Sequence, residues 1–275
     1  MSAALARSLL RIPCRLSKCD LSTIFTTSIQ HTSLEAKVKA AELDYVKVFR
    51  RLLAILPREP EVKTVILDFE LATWKALAKV LPAVRLRGCL FHLTQAVWRK
   101  CQEFGLQIAY QKDDAVHKFV RKLMALPFLP SEHIPRMFAK IADRVERHGP
   151  LNQLIIYFRR QWMEHQVFEP STWSAYRVTI RTNNHVEGWH RRMNGKVGEQ
   201  ALGIYRLIPE LHREAALLQI QTRLILEGRL RSYLRKAATA RQEEIFAVWR
   251  MYKRTDLTLS QLLSRCAMIH GPVIQ

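Results

Sequence analysis

Two short apolar segments alternate with two helix patterns between residues 63 and 106, and this order restricts the fold more than any other feature. The run KTVIL at 63–67 is rich in β-branched residues, which is typical of a buried strand, and 84–89 is a second strand candidate. Helix patterns follow at about 70–81 and 92–106. A strand, helix, strand order predicts parallel pairing of the two strands in an α/β layer.

Helical periodicity dominates the chain on both sides of this layer. A helix is predicted over about 35–56, where Pro57 ends it. A further helix is predicted to start near Asn184, and long amphipathic helices are predicted over about 205–253. We find no repeat or Gly/Ser-rich linker that would separate domains.

Three shorter helices are predicted in a helical insertion at about 107–170. Asp113 or Asp114 is expected to cap the first, because a side-chain oxygen at this position accepts from free backbone N–H groups. Ser131 is expected to cap the second, with Gly149 at its end. These residues favour a helical bundle over more sheet.

The charge of the chain favours an anionic partner. The 275 residues carry 44 Lys plus Arg and 24 Asp plus Glu, a formal net charge of +20, which attracts a polyanion such as nucleic acid. No apolar run approaches the roughly 20 residues that cross a bilayer, so no membrane partner is expected. The five cysteines are odd in number and lack zinc-ribbon spacing, which indicates a reducing compartment.

The C-terminal part of the chain carries a net positive charge of its own. Residues 171–275 hold 17 Lys plus Arg and 8 Asp plus Glu, and they include a basic helical C-terminal region at about 200–275. These cations contact phosphates or form a solvated helix face, and we favour phosphate contact. The candidate nucleic-acid-binding residues are Arg191, Arg192, Lys196, Arg229, Arg231, Arg235 and Lys236.

The first 40 residues are not assigned to the fold. Arg7, Arg11, Arg15 and Lys18 recur at helical spacing with no acid before Asp20, which is typical of a mitochondrial transit peptide. The alternative is a start within a truncated gene. Both interpretations leave residues 41–275 as the folded part.

Asp68 follows the first predicted strand, at the sheet edge where ligands and metals collect. A carboxylate there can hold Mg²⁺, which prefers oxygen ligands. The alternative is that Asp68 caps the following helix.

Glu187 also has a capping interpretation and a metal-binding interpretation. It lies in RTNNHVEGWH three residues after Asn184, which is the spacing of a capping box. It is also placed, between His185 and His190, where it could meet a metal held by Asp68.

Cys89 and His92 are three positions apart at the start of a predicted helix. Such a pair is half a zinc site at most, since a structural zinc needs four ligands. The alternative is a buried thiol beside a capping imidazole. No Gly-rich phosphate loop, nucleophile elbow or two-His metalloprotease helix occurs, and no organic cofactor is expected.

The motifs VILDFE, RGCLFHLTQAVWRK and RTNNHVEGWHRRMN occur in this order, with the helical insertion before the last of them. In this order they resemble the transposase domain of Mutator-like elements (MULE transposases) over roughly residues 41–275. The resemblance implies the α/β class with an RNase H-like core. It also implies a helical insertion between the second and third of three acids that bind two divalent metals.

The resemblance assigns roles to matching residues. Asp68 matches the second catalytic and metal-binding acid, and Glu187 matches the third. Mg²⁺ or Mn²⁺ is the implied cofactor of an active enzyme, and DNA is the implied partner, with a homo-oligomer expected on transposon ends. The remaining signature residues are Cys89, His92, Asn183, Asn184 and His190.

The first catalytic acid of the family is missing. It belongs in an Asp-Gly-Thr context on the first strand, whereas the upstream aspartates, Asp20 and Asp44, lie in SKCDLST and AELDYVK. The first three strands are also missing, which predicts an incomplete RNase H-like core. We therefore expect a partial MULE transposase domain defective in DNA cleavage.

Three hypotheses follow for the function. The first is a nuclear transposase fragment, inactive or weakly active. The second is a domesticated, non-catalytic DNA-binding protein in which the acids serve only as caps. The third is a mitochondrial matrix protein whose transit peptide was joined to an old transposase domain.

Overall fold

The computed structural model describes residues 31–56, 60–182, 188–189, 191–193, 195, 204–227 and 236–271. The chain divides into two compact units. The first comprises residues 1–60 and 184–233, and the second comprises residues 61–183 and 234–275. The second unit contains both strands and most of the buried residues.

Helices are the described structure of the first unit. They are α1 (His31–Ile55) and α9 (Ile204–Leu226), and residues 188–189, 191–193 and 195 are also helical. In α1, Val46 is buried, and the rings of Tyr45 and Phe49 stack one turn apart with centroids 6.0 Å apart. The helix predicted over 35–56 is confirmed, with its end at Ile55.

The second unit begins with the predicted strand and helix alternation. Its elements are β1 (Thr64–Leu67), α2 (Leu71–Val80), β2 (Arg85–Gly88) and α3 (Leu90–Glu103). The strands pair in parallel, with Thr64 opposite Arg85 and Leu67 opposite Gly88. The predicted parallel α/β layer is therefore confirmed, and within the described residues the sheet has these two strands alone.

A helical body follows the layer. It consists of α4 (Gln107–Lys112), α5 (Asp114–Ala125), α6 (Ile134–Ala142), α7 (Pro150–Phe158), α8 (Pro170–Trp173), α10 (Lys236–Lys253) and α11 (Leu259–Ile269). Two 3-10 turns, at Leu126–Phe128 and Ser131–His133, precede α6, and a π turn, Arg159–Met163, follows α7. The predicted helical character of 107–170 is confirmed.

One hydrophobic core joins the helices of the insertion to the C-terminal helices. Helix α11 packs against both α5 and α10. The core extends from α3 through α5 and α7 to α11. Each of these helices buries its apolar face against the others, which stabilises an amphipathic helix. Its fully buried side chains include Leu93, Val97, Val120, Leu123, Phe158, Trp162, Leu262 and Leu263.

Several predicted helix boundaries were wrong. The helix predicted over 92–106 is α3, which starts at Leu90 and ends at Glu103, and α4 follows as a separate helix. Ser131 does not cap α6, because it opens a 3-10 turn and its hydroxyl donates to Glu132. Gly149 does not end α6, which stops at Ala142. With a φ of 93° it precedes α7 instead.

The predicted cap of α5 is confirmed. The Asp113 carboxylate accepts hydrogen bonds from the backbone N–H groups of Ala115 at 2.7 Å and Val116 at 3.3 Å. Helix α11 lies within the helical C-terminal region predicted at about 200–275, but its bounds were not predicted, although Thr258 and Gln261 form a capping box at its start. In the described part of the chain no helix has the length and apolar character needed to cross a membrane.

Candidate metal centre

The parallel register places Asp68 and Cys89 side by side. Leu67 and Gly88 are partners at the ends of β1 and β2, so the next residue of each strand leaves the same sheet edge. The Cys89 N–H donates to the Leu67 carbonyl at 2.7 Å, which continues the strand pairing by one residue. Two residues 21 positions apart in the sequence therefore meet at the carboxyl edge of the sheet.

Helix α3 brings His92 to the same edge. Cys89 is the N-cap of this helix, and His92 lies in its first turn, on the face shared by residues three apart. The His92 Nδ1 atom is 2.9 Å from Asp68 Oδ1. One donor atom from each of Asp68, Cys89 and His92 lies within 4.8 Å of the other two, and we call this set the sheet-edge cluster.

The residues of the sheet-edge cluster differ in exposure. The Asp68 side chain is 52% exposed, His92 is 20% exposed, and Cys89 is fully buried. Hydrogen bonding to Asp68 first, and then to Cys89, raises the pKa of His92 to about 10, although burial opposes this shift. At neutral pH the ring is therefore an imidazolium that pairs in charge with the neighbouring Asp68 carboxylate.

Aromatic residues hold the Asp68 backbone in place. The Trp74 indole N–H donates to the Asp68 carbonyl at 2.6 Å. The Phe69 ring meets the rings of Trp162 and Phe168 edge to face, with centroid distances of 4.5 and 5.2 Å. We call Phe69, Trp74, Trp162 and Phe168 the aromatic anchor. Asp68 lies between β1 and this anchor, so the backbone that carries its carboxylate has a fixed position.

The N-cap residue of α2 is Glu70, and the Asp68 carboxylate lies 2.9 Å from the His92 ring. The thiol of Cys89 is buried, as one interpretation expected, but the imidazole of His92 is directed to Asp68 rather than to a helix end.

The remaining predicted site residues fall largely outside the described residues. Arg191 and Arg192 lie in helical residues and are exposed, and an Arg192 guanidinium nitrogen is 3.8 Å from Glu214 Oε2. Lys236 opens α10. The expected meeting of Asp68 with Glu187 stays a prediction, as do the roles of the others. The residues outside the described part are Asn183, Asn184, Glu187, His190, Lys196, Arg229, Arg231 and Arg235.

Arg181 is a positioning residue that the sequence reasoning missed. Its guanidinium lies over the rings of Phe128, Phe246 and Trp249 at 5.5 to 6.0 Å, and burial lowers its pKa. Its carbonyl accepts from the Leu90 N–H at 2.9 Å, next to Cys89. Its position in RTNNHVEG gave no sign of this aromatic surround, which is assembled from distant segments.

Comparison of the chain with protein-family models, with curated proteins and with solved structures finds no match.

Proposed function

We propose that this chain is a DNA-binding protein derived from a MULE transposase and defective in DNA cleavage. The observation that carries the proposal is the convergence of Asp68, Cys89 and His92 at the carboxyl edge of a parallel strand pair. These are the residues that the resemblance names as the second acid and the Cys-x-x-His signature. A helical body follows them in the chain, as the resemblance implies.

The charge of the chain supports DNA as the partner. The chain carries 44 Lys plus Arg and a net charge of +20. Lys and Arg side chains that bind the phosphate backbone of DNA release its counterions, and this release favours binding. Arg191 and Arg192 are exposed, so their guanidinium groups are accessible to phosphates. We assign phosphate contact to them and to the basic residues at 229–236.

The upstream aspartates support a defect in cleavage. Asp44 lies on helix α1, is exposed, and is 3.4 Å from Lys47 one turn away, which is a surface ion pair on a helix. It is therefore not on a strand, where the family carries its first acid. Asp20 lies outside the described residues.

The atoms that surround Asp68 in the structure do not form an all-oxygen magnesium site. Mg²⁺ or Mn²⁺ in a transposase would be held by carboxylate oxygens, which the resemblance assigns here to Asp68 and Glu187, and would activate the attacking hydroxyl and stabilise the leaving oxygen. In the sheet-edge cluster the atoms that converge on Asp68 are sulfur and nitrogen, which suit Mg²⁺ poorly. We therefore derive no cleavage step for this chain.

DNA binding is tested by fluorescence anisotropy of the full chain with duplex DNA over a range of salt concentrations. We expect affinity to fall steeply with salt, and the logarithmic slope to become shallower by about 0.9 for each phosphate contact removed. The triple variant Arg229→Ala, Arg231→Ala, Arg235→Ala should therefore show a shallower slope than the wild type.

The matched control removes three exposed arginines of the helical body, in Arg136→Ala, Arg147→Ala, Arg160→Ala. Equal losses in the two triple variants would contradict the assignment of the phosphate contacts. Cleavage is tested in the same preparations by nicking of plasmid DNA with Mg²⁺ or Mn²⁺. Robust nicking that disappears in Asp68→Ala would show that the domain is an active nuclease.

A further inference from the structure

The sheet-edge cluster has the donor atoms of a transition-metal site. We propose that Asp68, Cys89 and His92 bind a zinc ion through one carboxylate oxygen, one thiolate sulfur and one imidazole nitrogen, and that the ion displaces the protons of the His92 ring and the Cys89 thiol, which are released to solvent. This inference goes beyond DNA binding, because the metal is bound by the chain alone and is measured without DNA. From the sequence, Cys89 and His92 were expected to form at most half of a zinc site. The fold adds Asp68 as a third ligand.

The distances in the cluster suit one shared ion. Zinc binds nitrogen and oxygen at about 2.0–2.2 Å and sulfur at about 2.3 Å, so tetrahedral ligand atoms are separated by roughly 3.3–3.7 Å. The His92 to Asp68 separation of 2.9 Å is slightly shorter than this, and all three atoms lie within 4.8 Å. A metal between them requires adjustments of about 1 Å or less, which side-chain rotation can supply.

The ligands are carried by rigid parts of the fold. Asp68 and Cys89 follow paired strands, and His92 is in the first turn of a 14-residue helix whose buried face includes Leu90 and Leu93. Ligands on strand ends and helices hold their geometry better than ligands on loops. The Trp74 bond to the Asp68 carbonyl adds a further constraint on this side of the site.

The chemistry of the donor set selects the metal. A thiolate and an imidazole favour zinc, whereas Mg²⁺ and Ca²⁺ are bound by oxygen ligands. Three protein ligands leave the fourth tetrahedral position for water, which is the arrangement of zinc sites that bind a further ligand. The Asp68 side chain is half-exposed, so solvent reaches the cluster, whereas Cys89 is buried.

Cobalt substitution tests the site in the full chain. After removal of metals with a chelator, Co²⁺ should bind at about one ion per chain and give a thiolate-to-cobalt charge-transfer band together with intense visible bands of tetrahedral cobalt. Zn²⁺ should then displace the cobalt, and excess Mg²⁺ should not. Absence of the charge-transfer band, or displacement by Mg²⁺, would overturn the proposal.

Three conservative variants test the ligands. Cys89→Ser should remove the charge-transfer band. Cys89→Ser, His92→Gln and Asp68→Asn should each weaken zinc binding by more than about 100-fold, because loss of a group that merely orients a ligand already weakens it about 10–100-fold. The control is Cys14→Ser, Cys19→Ser, which removes two thiols outside the cluster and should leave the spectrum unchanged.

A second measurement does not depend on the variants folding. X-ray absorption of the zinc-loaded wild-type chain should show one sulfur in a shell otherwise made of nitrogen and oxygen. A shell of oxygen and nitrogen without sulfur, or one with two or more sulfurs, would show that the ion is held elsewhere. If DNA binding fails while this shell is observed, the metal site stands and the proposed function does not.

Discussion

Gly88 allows Phe69 to hold Asp68 in place. A Cβ atom at Gly88 would overlap Phe69 Cζ and Cε1, far inside van der Waals contact. The Phe69 ring cannot move away freely, because it packs edge to face against Trp162 and Phe168. Phe69 can therefore occupy its place in the aromatic anchor only because residue 88 has no side chain.

We expect Gly88→Ala to destabilise the chain by about 1–3 kcal/mol, the usual penalty for inserting a methyl group into a packed core. The same substitution should weaken zinc binding, because relief of the clash displaces the Asp68 backbone. Urea unfolding measures the first effect and cobalt absorption the second. Gly195→Ala is the control, since its Cβ would have no neighbour within 4 Å.

A double variant identifies the cause. If the clash with Phe69 is responsible, Phe69→Leu should be less destabilising in the Gly88→Ala background than in the wild type. Additive effects of the two substitutions would show that Gly88 acts through something other than this ring.

Between elements, Arg121 joins the helical body to the C-terminus. From α5 its Nε donates to the Ala267 carbonyl at 2.5 Å, and a terminal nitrogen donates to the Met268 carbonyl at 2.7 Å. These carbonyls belong to the last turn of α11, where helical carbonyls lack intrahelical partners and the helix dipole is negative. A cation from one helix therefore caps another that is 146 residues distant in the sequence.

We expect Arg121→Met to lower the free energy of unfolding by about 2–3 kcal/mol, because it removes two charged hydrogen bonds and a favourable dipole interaction. Arg121→Lys keeps the charge and one donor group, so an intermediate loss is expected. Urea unfolding measures both.

Lys118→Met is the control on the same helix. Its exposed ammonium is 3.2 Å from Asp114 in a surface pair, which contributes about 0–1 kcal/mol. A loss in Arg121→Met no larger than in Lys118→Met would show that the cap of α11 is not important for stability.

A second junction connects α10 to the segment before residue 183. The Arg181 guanidinium donates to the Gln242 side-chain carbonyl at 2.9 Å, and the Gln242 amide donates to the Thr179 carbonyl at 3.1 Å. Together with the rings around Arg181, these bonds hold α10 against the segment that follows α8. Residues 234–275 therefore belong to the same compact unit as residues 61–183.

At the scale of the whole molecule, His270 makes stability depend on pH. Burial first, and then the positive charges of Arg181, Arg121 and Arg241, lower the pKa of His270 to about 4. Its Nε2 is 3.1 Å from the Thr94 hydroxyl, which itself donates to the Leu90 carbonyl, so Nε2 carries the proton and donates.

Because the unfolded chain binds this proton near pH 6.5 and the folded chain binds it near pH 4, stability is lost as pH falls between these values. The loss is about 1.4 kcal/mol per pH unit, to a total of roughly 3 kcal/mol. We expect His270→Gln, which keeps a donor for Thr94, to reduce this loss between pH 6.5 and 4. Urea unfolding at several pH values measures it.

The raised pKa of His92 does not interfere with this measurement. It gives stability that is fully present below pH 6.5 and is lost as pH rises toward 10, outside the window of His270. The control is His148→Gln, at an exposed histidine. Equal slopes for the wild type and His270→Gln below pH 6.5 would contradict the role of His270.

Local sequence signals determined the elements around the cluster. The β-branched run before Asp68, the helix that follows it and the Asp113 cap were predictable, because they depend on neighbours within a few residues. The ends of α6 were not, since Ser131 and Gly149 satisfy local rules that packing overrides. The start of α11 was not predicted within the helical region at about 200–275, although Thr258 and Gln261 carried its signal.

The sequence by itself determined the parallel pair, the helical character of the rest and the strong positive charge. The first two follow from the periodicity of short segments, and the charge follows from the residue composition. Only the tertiary structure decided that Asp68 meets Cys89 and His92. That meeting depends on the register of two strands and on Phe69 packing beside Gly88. Such contacts join residues far apart in the sequence, and spacing alone does not specify them.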